Sequence, residues 1–223
     1  LTISGMSENA IIIGIEKTKN LPVDSNPFLL KSQQIEKINA QCWEELSNFL
    51  KHNIKTHPNM KISVGESFTS GLLAGLIITT PDAATIFDTS LNWYDKRLKI
   101  FVGVPEENLT DALIAEPKTI ALASQGLLNK VPLTTGICIG TTGWANYRNK
   151  GEPDYFSIGI AQREEKDPTK STVSTAKVQV IITKNELKNK GKRQLTRQLG
   201  VTTALYLLAR LLENHFEEFK PKI

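Results

Sequence analysis

The sequence predicts a layered α/β/α sandwich built around a mixed β-sheet. Short apolar runs alternate with amphipathic helical patterns over residues 35–140, which is the order expected of α/β units. Two further apolar runs, at residues 155–162 and 173–183, flank a polar turn at 163–172 and predict an antiparallel hairpin. A chain of 223 residues with 40% hydrophobic residues can bury such a core without disulfides.

The individual elements follow from the spacing of the apolar residues. These recur at helical intervals over residues 35–55, whereas residues 61–65 form a short apolar run that leads through a polar turn into a helix. Residues 86–94 alternate loosely, as in a strand. Pro117 suits the first turn of a helix, where its missing N–H costs nothing. The remaining predicted elements are the helix 117–129, the buried strand 133–140, the two hairpin strands and the long helix 192–216.

The chain divides into one domain with flanking segments. We expect Met6 to be the native start, with vector-derived residues before it. The segment that follows has two prolines and many polar residues, so it is interpreted as an extension with a short strand. Pro221 cannot continue a helix, so a tail follows the last one. The expected divisions are residues 1–5, 6–34, 35–216 and 217–223.

The composition excludes several classes of protein. A formal charge of +4 is too small to indicate nucleic-acid binding by itself, and no nucleic-acid motif accompanies it. No run approaches the roughly 18 apolar residues of a membrane span, and we expect no signal peptide, so a cytoplasmic location is predicted. Two cysteines, Cys42 and Cys138, exclude a disulfide scaffold and an all-cysteine zinc site. No cluster has the spacing of metal ligands, and we expect no cofactor.

The segment Gly65–Gly71 between the first strand and the next helix offers the clearest chemistry. Ser67 there would lie beside free backbone N–H groups, which can stabilise an oxyanion or bind an anion. The alternative is that its hydroxyl only caps the helix.

A serine nucleophile needs a base. The three histidines lie near the ends of the first and last helices, which argues against a Ser-His-Asp triad. Lysine can serve when burial lowers its pKa. Lys96 and Lys99 follow the second strand and are either that base or solvated helix lysines.

Two motifs resemble those of the C-terminal domain of the competence/damage-inducible CinA family, whose single-domain members are nicotinamide mononucleotide deamidases. Glu66–Gly71 (ESFTSG) resembles the family's E-S-C-T-G-G, and Tyr94–Lys99 (YDKRLK) resembles its Y-S-N-E-A-K. Weaker likenesses are GVPE at 103–106, GTTGW at 140–144, and GKR at 191–193 with Arg197 one turn on.

The resemblance implies a Ser–Lys amidohydrolase of the CinA C-terminal fold, acting on a pyridine-nucleotide carboxamide without a metal. Ser67 would be the nucleophile, Lys99 the base, and Tyr94 would orient the pair or relay the proton. A small-molecule nucleotide partner and a homo-oligomer are also implied. The expected substrate-binding residues are Thr69, Ser70, Gly71, Gly140, Thr141, Thr142, Gly143, Arg193 and Arg197. The basic run that contains the two arginines is otherwise a solvated surface.

Departures from the family's motifs motivate two alternatives. Phe68 and Ser70 replace a small cysteine and a glycine, Trp144 replaces a proline, and Ala115 stands where a hydroxyl is expected. The chain is therefore either an active deamidase, a catalytically inactive nucleotide-binding or interaction module, or a hydrolase of another amide. An aromatic ring of Phe68 or Trp144 in the cleft would favour the inactive module.

Overall fold

The described part of the chain contains five strands, five α-helices and two short 3-10 helices. The computed structural model describes residues 32–55, 57, 60–145, 154–180 and 191–215. The helices are α1 (Ser32–Asn53), α2 (Leu72–Ile77), α3 (Lys96–Phe101), α4 (Pro117–Leu128) and α5 (Gly191–His215). The strands are β1 (Lys61–Glu66), β2 (Phe87–Asn92), β3 (Thr135–Gly143), β4 (Asp154–Arg163) and β5 (Ser171–Val180).

The strands form one mixed sheet in the order β2-β1-β3-β4-β5. Strand β1 lies parallel to both β2 and β3, whereas β4 and β5 continue the sheet in antiparallel pairing. Gly65 of β1 pairs with Leu91 on one side and with Gly140 on the other. The carboxyl ends of three parallel strands therefore meet at one edge of the sheet, where ligands bind in open α/β sheets.

Helices cover both faces of the sheet. On one face α1, α2 and α5 enclose the larger hydrophobic cluster, which includes Trp43, Phe68, Leu205 and Leu208. On the other face α4 covers the smaller cluster around Trp93. The layered α/β/α prediction is thus confirmed.

The Phe68 ring is part of the larger core. It stacks on Phe156 with ring centroids 5.0 Å apart and is 2% exposed. A Cβ on Gly200 of α5 would lie 2.4 Å from the Phe68 ring, so the glycine leaves the space that the ring occupies. The larger residue of the motif is thereby accommodated in the core.

Most predicted elements are confirmed, with small shifts at their ends. The helix at the start of the domain begins at Ser32, and the third strand extends to Gly143. Periodicity does not predict the short helix α3, because six residues show too little of a helical pattern. The predicted strand within 6–34, the remnant 1–5, the tail 217–223 and most of the loop 145–150 lie outside the described residues.

Replacing Gly200 by alanine tests the contact between α5 and Phe68. We expect Gly200→Ala to lower the free energy of unfolding by about 1–3 kcal/mol, because the added methyl overpacks the core. Urea denaturation measures the change. Gly75→Ala on α2 is the matched control: open space surrounds Gly75, so alanine should stabilise by up to about 1 kcal/mol. A full effect of Gly200→Ala in a Phe68→Cys background would contradict this account.

Candidate active site

Side chains at the carboxyl end of β1 alternate between a face that packs against helices and a face that carries the candidate nucleophile. Glu66 and Phe68 face the layer of α2 and α5, where they contact the two helices. Gly65 and Ser67 face the opposite side, toward Trp93 and Lys99. Successive residues of an extended segment point to opposite faces, so the strand itself aims the Ser67 hydroxyl at the lysine.

Glu66 caps α2. Its buried carboxylate accepts hydrogen bonds from the backbone N–H groups of Gly71, Leu73 and Ala74 at 2.9–3.1 Å. An acidic group at a helix N-terminus satisfies the unpaired donors and opposes the helix dipole. The interpretation of Ser67 as a helix cap is therefore wrong: the preceding residue performs that role.

Lys99 lies inside the protein although the rest of α3 is largely exposed. Asp95 caps this helix by accepting a hydrogen bond from the Arg97 N–H at 2.8 Å. The Lys99 side chain is 1% exposed, and its Nζ donates to Ser67 Oγ at 3.4 Å and to the carbonyl oxygen of Trp93 at 2.9 Å. The alternative of a solvated lysine is therefore wrong for Lys99, whereas it holds for the exposed Lys96.

Burial lowers the pKa of Lys99 from 10.5 to about 8. The positive charge of Lys96 lowers this pKa further, whereas the negative charge of Asp95 raises it. At pH 7 a pKa of about 8 leaves roughly a tenth of the amine neutral and able to accept a proton. The geometry therefore pairs a buried serine, 8% exposed, with an amine that can act as a base near neutral pH.

The backbone around Ser67 is held by Thr141 and Trp93. The Ser67 N–H donates to the carbonyl oxygen and to Oγ1 of Thr141, at 3.2 Å each. Thr141 Oγ1 also lies 2.7 Å from Oγ1 of Thr69. The Trp93 indole N–H donates to the Thr141 carbonyl at 3.0 Å, and its ring fills the space above Gly65. Trp93 is thus fully buried and packs against the strands that hold Ser67.

Not every N–H group near Ser67 is free to bind an anion, and that of Gly71 is not. Its N–H donates to Glu66 and is therefore not available to a substrate. The N–H groups of Phe68, Thr69 and Ser70 donate to no acceptor within the described residues. Consecutive unpaired N–H groups in a tight turn are suited to an oxyanion.

The structure does not bring all predicted site residues next to Ser67 and Lys99. Tyr94 is 60% exposed, and no hydrogen bond of its hydroxyl to Ser67 or Lys99 occurs among the described contacts. Gly140 lies under α4, where a Cβ would be 2.2 Å from Ser124 Oγ, so close packing requires a glycine here.

The neighbouring residues of β3 also make close contacts within the fold. Thr142 is buried and donates to the carbonyl of Ile114 at 2.8 Å, and Gly143 packs directly against Phe156. The carbonyl of Ala115 accepts from Ser157 Oγ at 2.6 Å, so the backbone at this position makes a polar contact.

The two arginines of α5 differ in their surroundings. Arg193 is exposed, whereas Arg197 is half-buried and donates to the carbonyl oxygen of Thr69 at 2.9 Å. It also reaches the carbonyl of Ser70 at 3.5 Å. Arg197 therefore contacts the backbone of the serine turn itself.

Sequence reasoning missed Asn92. It ends β2 beside the serine turn, and its Nδ2 donates to Ser70 Oγ at 3.3 Å. A polar residue at the carboxyl end of a strand next to a candidate nucleophile was the available signal.

In the described residues, no group of three or more His, Cys, Asp or Glu side chains could hold a metal ion. None of the helices described combines the length and apolar character needed to cross a membrane.

Comparison with known proteins identifies the family. The profile of the CinA C-terminal domain matches residues 44–212. The chain belongs to the CinA C-terminal domain family. A competence-damage inducible protein of Caldicellulosiruptor bescii is 29% identical over an alignment of 113 residues that covers 49% of this chain. The chain matches only 27% of the length of that relative.

Solved CinA superfamily structures share the fold. The protein from Escherichia coli superposes with a TM-score of 0.59 at 19% identity, covering 82% of this chain and 94% of the other. The protein from Enterobacter cloacae gives 0.55 at 18%, covering 78% and 92%. The competence/damage inducible protein from Agrobacterium tumefaciens gives 0.54 at 17%, covering 75% and 94%. The CinA C-terminal fold is therefore established for this chain.

Removing the buried amine should stabilise the protein. We expect Lys99→Met to raise the free energy of unfolding at pH 7 by about 1–3 kcal/mol, because the burial cost of the charged amine disappears. From pH 8 to 10.5 the unfolded wild type binds more protons than the folded one, so the wild type gains stability and the difference narrows. Thermal or urea unfolding across this pH range measures it. The exposed Lys118→Met on α4 is the control, and a difference independent of pH would contradict the account.

Proposed function

We propose that this CinA-type domain is a Ser–Lys amidohydrolase that converts the carboxamide of nicotinamide mononucleotide to a carboxylate and ammonia. The observation that carries the proposal is the contact of 3.4 Å between Lys99 Nζ and Ser67 Oγ, both of them buried. The lowered pKa of Lys99 supports it, because a base for a serine hydroxyl must be neutral near the working pH.

The proposed reaction has two halves. Neutral Lys99 takes the proton from Ser67 as Oγ bonds to the amide carbon, and the N–H groups of the turn that follows bind the oxyanion. The C–N bond then breaks, and ammonia leaves with the proton returned by Lys99. Water, deprotonated by the same amine, releases the carboxylate and restores the serine.

The position of Tyr94 favours a second candidate function. Because its hydroxyl is not assembled with the other two residues, the chain could instead bind a nucleotide without turnover. The Phe68 ring does not support this alternative, since it packs in the core on the opposite face from Lys99. A hydrolase for a different amide is the third candidate.

The main proposal also includes a homo-oligomer and a cytoplasmic location. Multi-angle light scattering would measure the oligomeric state.

Ammonia release tests the proposed chemistry. We expect wild-type protein to release ammonia from nicotinamide mononucleotide, with kcat reduced at least about 10³-fold in Ser67→Ala and Lys99→Met. Tyr94→Phe should change kcat by less than about tenfold, because its hydroxyl lies apart from the pair.

The exposed Ser90→Ala on β2 and Lys118→Met on α4 are the matched controls. No turnover by folded wild-type protein, with a thermal shift on adding the nucleotide, would support the binding module instead. Turnover of another carboxamide alone would support the third candidate.

The pH profile tests Lys99 as the base. The rate kcat/KM should rise with pH and level off above about pH 8, because only neutral Lys99 accepts the proton. Lys96→Met removes a nearby positive charge and should shift the midpoint upward. Asp95→Asn removes the negative charge but can still cap α3, so it should shift the midpoint downward. Shifts in the same direction, or none, would refute this assignment.

A further inference from the structure

Arg197 connects α5 to the turn that follows the candidate nucleophile. Its Nη2 donates to the carbonyl oxygens of Thr69 and Ser70, at 2.9 and 3.5 Å, although α5 lies more than 120 residues further along the chain. Its Nη1 donates to Gln194 Oε1 at 3.3 Å. Nη1 and Nη2 therefore bind acceptors on the protein, whereas Nε has no acceptor within the described residues.

The contact with Thr69, together with the Leu72 N–H that donates to the same carbonyl at 3.2 Å, orients the next N–H group. In a planar trans peptide the C=O and the following N–H point in opposite directions. Arg197 binds the Thr69 carbonyl from the α5 side of the sheet, so the N–H of Ser70 points away from α5. Ser67 and Lys99 lie on that opposite side. The Ser70 N–H has no acceptor within the described residues.

Two further contacts hold Ser70 in this orientation. Ser70 has a φ of 49°, in the left-handed region that is unfavourable for a residue with a Cβ. Asn92 of β2 donates a hydrogen bond to Ser70 Oγ. Glu66 accepts one from the N–H of Gly71, which belongs to the peptide that follows Ser70. Backbone strain held by surrounding contacts is typical of functional turns.

We propose that Arg197 is a positioning residue that aims the Ser70 N–H at the oxyanion formed on attack by Ser67. This inference rests on the proposed function and adds a residue that acts through the backbone. The fixed positive charge behind the Thr69–Ser70 peptide also polarises that N–H, which strengthens its hydrogen bond to a developing negative charge.

Steady-state kinetics distinguish positioning from substrate binding. We expect Arg197→Met to lower kcat about 10- to 100-fold with KM changed less than threefold, because the oxyanion donor acts in the transition state. Arg197→Lys should recover part of kcat, since an ammonium can still hold one carbonyl. Arg210→Met, an exposed arginine on the same helix, is the matched control. A raised KM with unchanged kcat would overturn positioning and indicate phosphate binding. Unfolding curves of each variant verify the fold.

Labelling of Ser67 separates this inference from the identity of the substrate. With a fluorophosphonate, Ser67 Oγ bonds to phosphorus, fluoride leaves, and the hydroxyl proton passes to Lys99. The phosphoryl oxygen requires the same N–H donors as the amide oxyanion. Mass spectrometry should show labelling of Ser67 about 10-fold slower in Arg197→Met than in the wild type and in Arg210→Met.

Each outcome of the labelling experiment has one meaning. Slower labelling without turnover of nicotinamide mononucleotide would leave Arg197 as a positioning residue and overturn only the proposed substrate. Equal labelling rates in Arg197→Met and wild type would overturn the inference alone. A folded wild type that is neither labelled nor active would overturn both.

Discussion

Burial of the Lys99 amine is the constraint on which the candidate site depends. A charged amine is costly to bury, so the neutral form is favoured and the pKa falls to about 8. The amine is held inside by the Trp93 carbonyl, whose residue is in turn anchored through its indole to β3. The Trp93 ring can lie there only because Gly65 and Gly140 lack side chains. The packing of Trp93 against the sheet therefore helps to set the pKa of Lys99.

The division of roles between Glu66 and Ser67 explains how a helix start can hold a nucleophile. An uncapped helix would draw the nearby hydroxyl into its own hydrogen bonds. Here the buried carboxylate of Glu66 accepts hydrogen bonds from those N–H groups. Because side chains alternate along the strand, the serine points to the other face. Ser67 Oγ is thereby left for Lys99.

The serine turn is strained but held from three directions. Ser70 adopts a left-handed conformation that favours glycine, while Glu66, Asn92 and Arg197 each fix a different group of the turn. A buried amine and a strained turn both reduce stability in exchange for a fixed arrangement of polar groups, which is the usual relation between stability and activity at a site. The larger core on the other face of the sheet, with Phe68 on Gly200, supplies compensating packing.

The sequence by itself determined the order of strands and helices, because hydrophobic periodicity and turn residues are local. It also singled out Ser67 and Lys99, since their motifs can be recognised without knowing what surrounds them. Only the tertiary structure decided which other residues join them. It placed Tyr94 at the surface, assigned the cap to Glu66 and brought Arg197 to the serine turn. These outcomes depend on burial and on contacts between residues far apart in the chain, which no local pattern encodes.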